Sequence, residues 1–90
     1  MDKIIITVLG KDSIGIIAGV CTLLSDSQIN ILDISQTIVD DFFTMVVVAD
    51  MAKSTEPFEA VDGALAAFGE ERGLKIQTQK EEIFTAMHRI

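Results

Sequence analysis

The sequence is poor in the residues that do most metal and nucleophile chemistry. Cys21 is the only cysteine, which excludes an internal disulfide and any Cys-x-x-Cys metal or redox motif. Its place in an apolar helical pattern predicts buried packing, not reactivity. His88 is the only histidine and stands close to the C-terminus, so a Ser-His or Cys-His system would have to be built on the tail. It reads as a solvated tail residue. Cations are scarce too: seven Lys and Arg stand against fourteen Asp and Glu, a formal net charge of −7. No Lys/Arg cluster and no basic stretch interleaved with aromatics occurs, so nucleic acid and anionic membranes are not expected partners. No apolar run reaches transmembrane length, and MDKIIITVL is too short, with no small-residue cleavage site after it, for a signal peptide. The expected location is the cytoplasm.

What the chain has is apolar surface. Of its 90 residues, 49% are hydrophobic, and the mean hydropathy is positive. That is one small domain, able to bury roughly 60% of its unfolded surface and marginal in stability alone. It carries more apolar surface than a monomer of this size easily hides, so self-association, as a dimer, is expected.

Residues 3–9, KIIITVL, are β-branched on both alternating faces and predict a central strand. From Ser13 to about Ser25, Ile17, Val20, Cys21 and Leu24 fall at helical spacing, with Asp12 or Ser13 as the cap. After the turn-formers SDSQIN, the stretch NILDISQTIV reads as a strand whose Ile31 and Ile34, three apart, imply a bulge. Asp40 and Asp41 make the reversal into FFTMVVVAD, a hairpin without a glycine in its turn.

Phe58, Val61, Leu65 and Phe68 mark a second helix, with Pro57 in its first turn and Gly73 just past its end. Gly63 and Gly69 weaken that helix, and close packing is the expected reason. LKIQTQK alternates as an edge strand with Leu74, Ile76 and Thr78 on one face. Ile83, Met87 and Ile90 share one helical face of the tail, and a chain end that apolar should dock somewhere. The order β-α-β-β-α-β is the α+β, ferredoxin-like arrangement: a four-stranded antiparallel sheet with two helices on one face, here with a short C-terminal helix. The expected single domain runs over 1–90, with a core at 3–80 and a helical tail at 81–90. The sheet's other face needs a cover.

Function has to come from sites rather than from this fold. GKDSIGIIAGV, residues 10–20, places glycines between a strand and a helix, where backbone N–H groups can meet an anion. It is neither G-x-x-x-x-G-K-[ST], since Ile16 and Ile17 follow Gly15, nor G-x-G-x-x-G, so a phosphate cradle is not expected. The adjacent pairs Asp40-Asp41, Glu70-Glu71 and Glu81-Glu82 point apart and make no acid-base dyad by spacing alone. An acylphosphatase-type hydrolase would want an arginine in the loop, which offers only Lys11; Arg72 and Arg89 come late in the chain.

ITVLGKDSIGIIAGV, with its G-x-D-x-x-G loop, and INILDISQT, which enters the second strand, together resemble the ACT domain, the small-molecule-sensing module of amino-acid metabolism. The chain is especially similar to short ACT proteins related to glycine-cleavage regulators, over residues 3 to about 80 and on into the tail. It departs from the family in having Ile14 where proline is common and Gln28 where glycine is common.

The resemblance implies a non-enzymatic regulator, with no cofactor or metal, that binds an amino acid at a subunit interface. The site would combine the loop after the first strand with the start of the second strand of a neighbouring chain: Gly10, Lys11, Asp12, Gly15, Ile16, Asn30 and Ile31. Amides near Gly15 suit a carboxylate, and Asn30 or Asp12 suits an ammonium. Plainer roles stand beside these: Asp12 as a cap, the glycines as turn-makers, Lys11 as a solvated charge, Asn30 as a left-handed turn residue. Two other readings also remain: a pure protein-interaction module whose tail, Ile83, Phe84, Met87 and Ile90, binds an unknown protein partner, and a small acylphosphatase-type hydrolase.

Overall fold

The β-branched run at the start of the chain extends further than its sequence suggests, forming β1 over Lys3–Lys11. The computed structural model describes residues 2–11 and 15–81. After β1 come α1 (Ile16–Asp26), β2 (Asn30–Val39), β3 (Phe42–Asp50), α2 (Phe58–Arg72) and β4 (Lys75–Lys80). The strands form one antiparallel sheet in the order β2-β3-β1-β4. This is the expected ferredoxin-like fold. The expected C-terminal helix falls on residues 82–90, outside the described residues, although Glu81 is already helical.

Residues opposite one another in the ladder share a face, and the register sorts the sheet cleanly. Ile4, Ile6 and Val8 lie opposite Ala49, Val47 and Met45, and all six are at most 2% exposed. They join Ile16, Val20 and Leu24 of α1 and Val61 and Leu65 of α2 in a single core, so both helices cover that face. Across the strands, Lys3, Ile5, Thr7, Leu9 and Lys11 pair with Asp50, Val48, Val46, Thr44 and Phe42 on the face without helices.

Each helix end is set by backbone conformation. The cap of α1 is Gly15, at φ 87° and ψ 4°, with no side-chain hydrogen bond, and not Asp12 or Ser13. That start fixes which residues face the sheet: Ile16, Val20 and Leu24, one turn apart, are buried. Ile17 is 36% exposed and Cys21 only half-buried, so neither is the core residue its spacing suggests. At the other end of α1, Gln28 takes the left-handed conformation at φ 62°. Its N–H donates to Ser25 O at 3.0 Å and that of Ile29 to Leu24 O at 2.9 Å, which is a Schellman ending with glutamine where glycine is usual.

Pro57 caps α2 from outside, one residue before its first turn. Gly73, at φ 71°, ends it, with the Leu74 N–H donating to Gly69 O at 2.7 Å. Gly69 is needed for packing, because a Cβ there would meet Ile76 Cγ1 at 2.9 Å, whereas a Cβ on Gly63 would meet nothing within 4 Å. Among the described residues no helix is long and apolar enough to cross a membrane.

The hairpin forms as expected, Asp40 supplying a positive φ of 55° in place of glycine. The register of β2 against β3 slips between Ile31 and Asp33, leaving Leu32 as the bulged residue. Thus Ile31, Ile34, Gln36 and Ile38 all share the helix-side face with β3 partners Ala49, Val47, Met45 and Phe43.

Candidate functional site

Lys11 and Gly15, on either side of the strand-helix loop, stand at the end of β1 and the start of α1 as the sequence places them. Lys11 ends β1 opposite Phe42 and is exposed. Asp12 lies outside the described residues. The first bond inside α1 runs from the Gly19 N–H to Gly15 O at 2.8 Å. The amides of Ile16, Ile17 and Ala18 therefore have no intrahelical acceptor, and the positive end of the helix dipole opens here. Gly15 is required by its backbone, since an L side chain at φ 87° is strained.

Two of the expected site residues have other duties. A Cβ on Gly10 would sit 2.6 Å from Leu74 Cδ2 and 3.5 Å from its Cα, so this glycine lets the end of α2 close onto β1. Ile16 is 2% exposed; its side chain belongs to the core, and only its amide faces the loop.

Asn30 and Ile31 are not at the loop. Asn30 opens β2 opposite Asp50, which itself pairs with Lys3 at the beginning of β1. Lys11 is eight residues along β1 from Lys3, a distance of about 26 Å at the rise of an extended strand. Within one chain, then, Gly10, Lys11, Gly15 and Ile16 gather at one end of the sheet and Asn30 and Ile31 at the other. Asn30 is extended; the left-handed residue is Gln28, two positions earlier. Asn30 lines an open cavity of about 590 Å³ with Gln28, Asp50 and Lys53, and Ile31 packs half-buried against the core.

One residue that sequence reasoning set aside is at the loop. Arg72, at the last turn of α2, places Nη1 3.7 Å from the point a Cβ on Gly15 would occupy. Its guanidinium also stacks over Phe68, 5.0 Å from the ring centroid, within the range of a cation–π contact. Nothing in local spacing signals this, since the antiparallel packing of α1 on α2 brings the two residues together. Among the described residues no three His, Cys, Asp or Glu side chains converge as metal ligands.

The described residues define a ferredoxin-like α+β module with an open helix N-terminus at Gly15, and comparison with known proteins narrows it. Residues 2–79 match the family model for the ACT domain, and the chain belongs to that family. It is 52% identical over 90 residues, the whole of both chains, to the UPF0237 protein of Bifidobacterium longum. It is similar to the solved ACT domain protein from Streptococcus pneumoniae, with a TM-score of 0.80 and 41% identity over 92% of this chain and 93% of that one. A structure described as a "putative glycine cleavage system transcriptional repressor" shares the fold, with a TM-score of 0.75 and 23% identity over 88% of this chain and 45% of that chain.

Proposed function

We propose that two copies pair edge to edge through β2 and hold an amino acid at the junction. In this reading α1 amides of one chain meet the carboxylate, and Asn30 of the partner subunit meets the ammonium, with Asp12 alongside. The chain is then a non-enzymatic, cytoplasmic regulator. The ligand favours one packing of the two chains by ~1–3 kcal/mol and so changes what they present to another protein.

One observation carries the reading: the two halves of the expected site lie at opposite ends of the sheet in a single chain. A second copy in antiparallel register reverses one of them. Full overlap of two ten-residue β2 strands sets Asn30 of the partner subunit beside Val39, in the row of Phe42 and Lys11. The edges favour the same pairing. β4 is short and carries lysines at both ends, a protected edge. β2 exposes Ile34 at 36% and Ile38 at 58% on its helix side, and Ile17 of α1 adds another 36% exposed side chain.

The test is a thermal-shift panel of the twenty amino acids on the wild-type dimer. A ligand at ~100 times its Kd raises stability by about 2.7 kcal/mol. Gly15→Asp and Asn30→Ala should each abolish the shift, and mixing the two variants should restore binding at about a quarter of the wild-type stoichiometry, because random re-pairing makes half of the dimers mixed and one of the two junctions in each mixed dimer is intact. No shift with any amino acid on a folded dimer overturns the sensor reading. No recovery on mixing overturns the two-chain site.

A further inference from the structure

Among the described residues, four of the seven exposed large apolar side chains stand at one end of the sheet, toward the β2 edge. Ile38, 58% exposed, and Val39, 63%, end β2; Phe42, 55%, opens β3; and Ile17, 36%, lies in the first turn of α1. At this end Lys11, Phe42 and Val39 form the last row of the ladder, and here the α1 amides open.

Helix geometry aims Ile17 at that edge. Ile16, Val20 and Leu24 face the sheet, and Gly19 faces Phe68 of α2. At about 100° per residue, Ile17 falls on the flank away from Gly19, about 60° from the sheet-facing row. α1 packs beside β2 and α2 beside β4, so this flank overlooks β2. Ile38 projects on the same side of the sheet, since it is the ladder partner of buried Phe43. Ile17 and Ile38 therefore border an apolar notch beside the open amides of Ile16, Ile17 and Ala18.

Resting on the amino-acid site proposed above, we propose that its ligand carries an apolar side chain, seated against Ile17 and Ile38. The register that sets Asn30 of the partner subunit beside Val39 also sets the partner's Ile31 beside Ile38, as a third apolar wall on the helix side. Val39 and Phe42 stand on the other face of the same end, so a side chain leaving the junction in either direction meets apolar surface. The described charges of this end, Lys11, Asp40, Asp41 and Arg72, are all exposed, and water screens them. A charged side chain on the ligand gains little from them and gives up its own hydration against isoleucine. An aliphatic side chain gives up only unfavourable contact with water.

The test is calorimetric titration of the full chain with leucine, valine, alanine, serine, aspartate and lysine. Leucine and valine should bind at least ~10-fold more tightly than alanine, and aspartate and lysine more weakly than alanine. Ile17→Ala, which removes a partly exposed side chain outside the core, should reduce the preference for leucine over alanine by roughly tenfold. Tighter binding of serine, aspartate or lysine than of leucine overturns the apolar ligand and leaves the amino-acid site standing. No binding of any of the six overturns both. An undiminished preference for leucine in Ile17→Ala also overturns the proposal, because the side chain then lies elsewhere.

Discussion

Gly19 of α1 lies directly against the ring of Phe68 of α2, so close that an added Cβ would overlap Phe68 Cζ and sit 2.6 Å from Cε1. Phe68 in turn supports the Arg72 guanidinium beside Gly15. The spacing of the two helices thus sets the position of the only described cation that α2 brings to the loop.

Gly19→Ala and Gly63→Ala should therefore have opposite signs. Both gain helix propensity of about 1 kcal/mol, but Gly19→Ala must displace a half-buried ring, and such overpacking costs about 1–3 kcal/mol. Gly63 is open and keeps its whole gain. Urea denaturation should show Gly63→Ala stabilised by about 0.5–1 kcal/mol and Gly19→Ala destabilised by about 1 kcal/mol. A stabilised Gly19→Ala would mean that Phe68 yields freely.

Gln28→Gly should stabilise the protein. The glutamine sits at φ 62°, a conformation that costs an L residue roughly 1–2 kcal/mol, and the glycine's looser unfolded state offsets part of that relief. A net gain of about 0.5–1 kcal/mol in urea midpoint analysis is expected, with an unchanged m-value. Gln28→Ala should show no such gain.

Thr78→Val should also stabilise. Thr78 is 9% exposed on the core side of β4, opposite Ile6, and its Oγ1 has no hydrogen-bond partner among the described residues. Removing an unsatisfied buried hydroxyl at nearly constant volume relieves about 1 kcal/mol. Thr78→Ser keeps the hydroxyl and loses a methyl, so thermal melts should place it below wild type.

Ile38→Lys should dissociate the proposed dimer without harming the protomer. The side chain is 58% exposed, so the core loses nothing, while a lysine on the edge strand blocks pairing of β2 with another copy. Sedimentation equilibrium should report a monomer whose circular dichroism matches wild type. An unchanged dimer would move the interface away from β2.

Much of this fold was legible because patterns of period two and near four survive in it. The spacing of Ile31 and Ile34 foretold the bulge, and Gly73 marked the end of α2. The start of α1 was not legible, because a left-handed glycine caps through backbone conformation and leaves no acceptor side chain to find. Once the helix began at Ile16, its buried row shifted to Ile16, Val20 and Leu24, and Ile17 and Cys21 turned outward. The candidate site was half legible. Gly15 announced itself by loop composition, but Arg72 is 57 positions later in the chain, and only tertiary packing joins them. The separation of Asn30 from the loop is a property of strand register, which composition does not encode.

Leu32 is a spare residue in the ladder. Ile31 pairs with Ala49 and Asp33 with Val48, so deleting Leu32 leaves every other partner of β2 in place and every side chain on its present face. A one-residue deletion elsewhere in a strand turns its buried set outward; here it would only straighten the edge. The edge so made would be flatter, uninterrupted and still free of lysine, the form most open to unselective strand addition. The extra leucine, 45% exposed, thus restricts which strands this edge will accept.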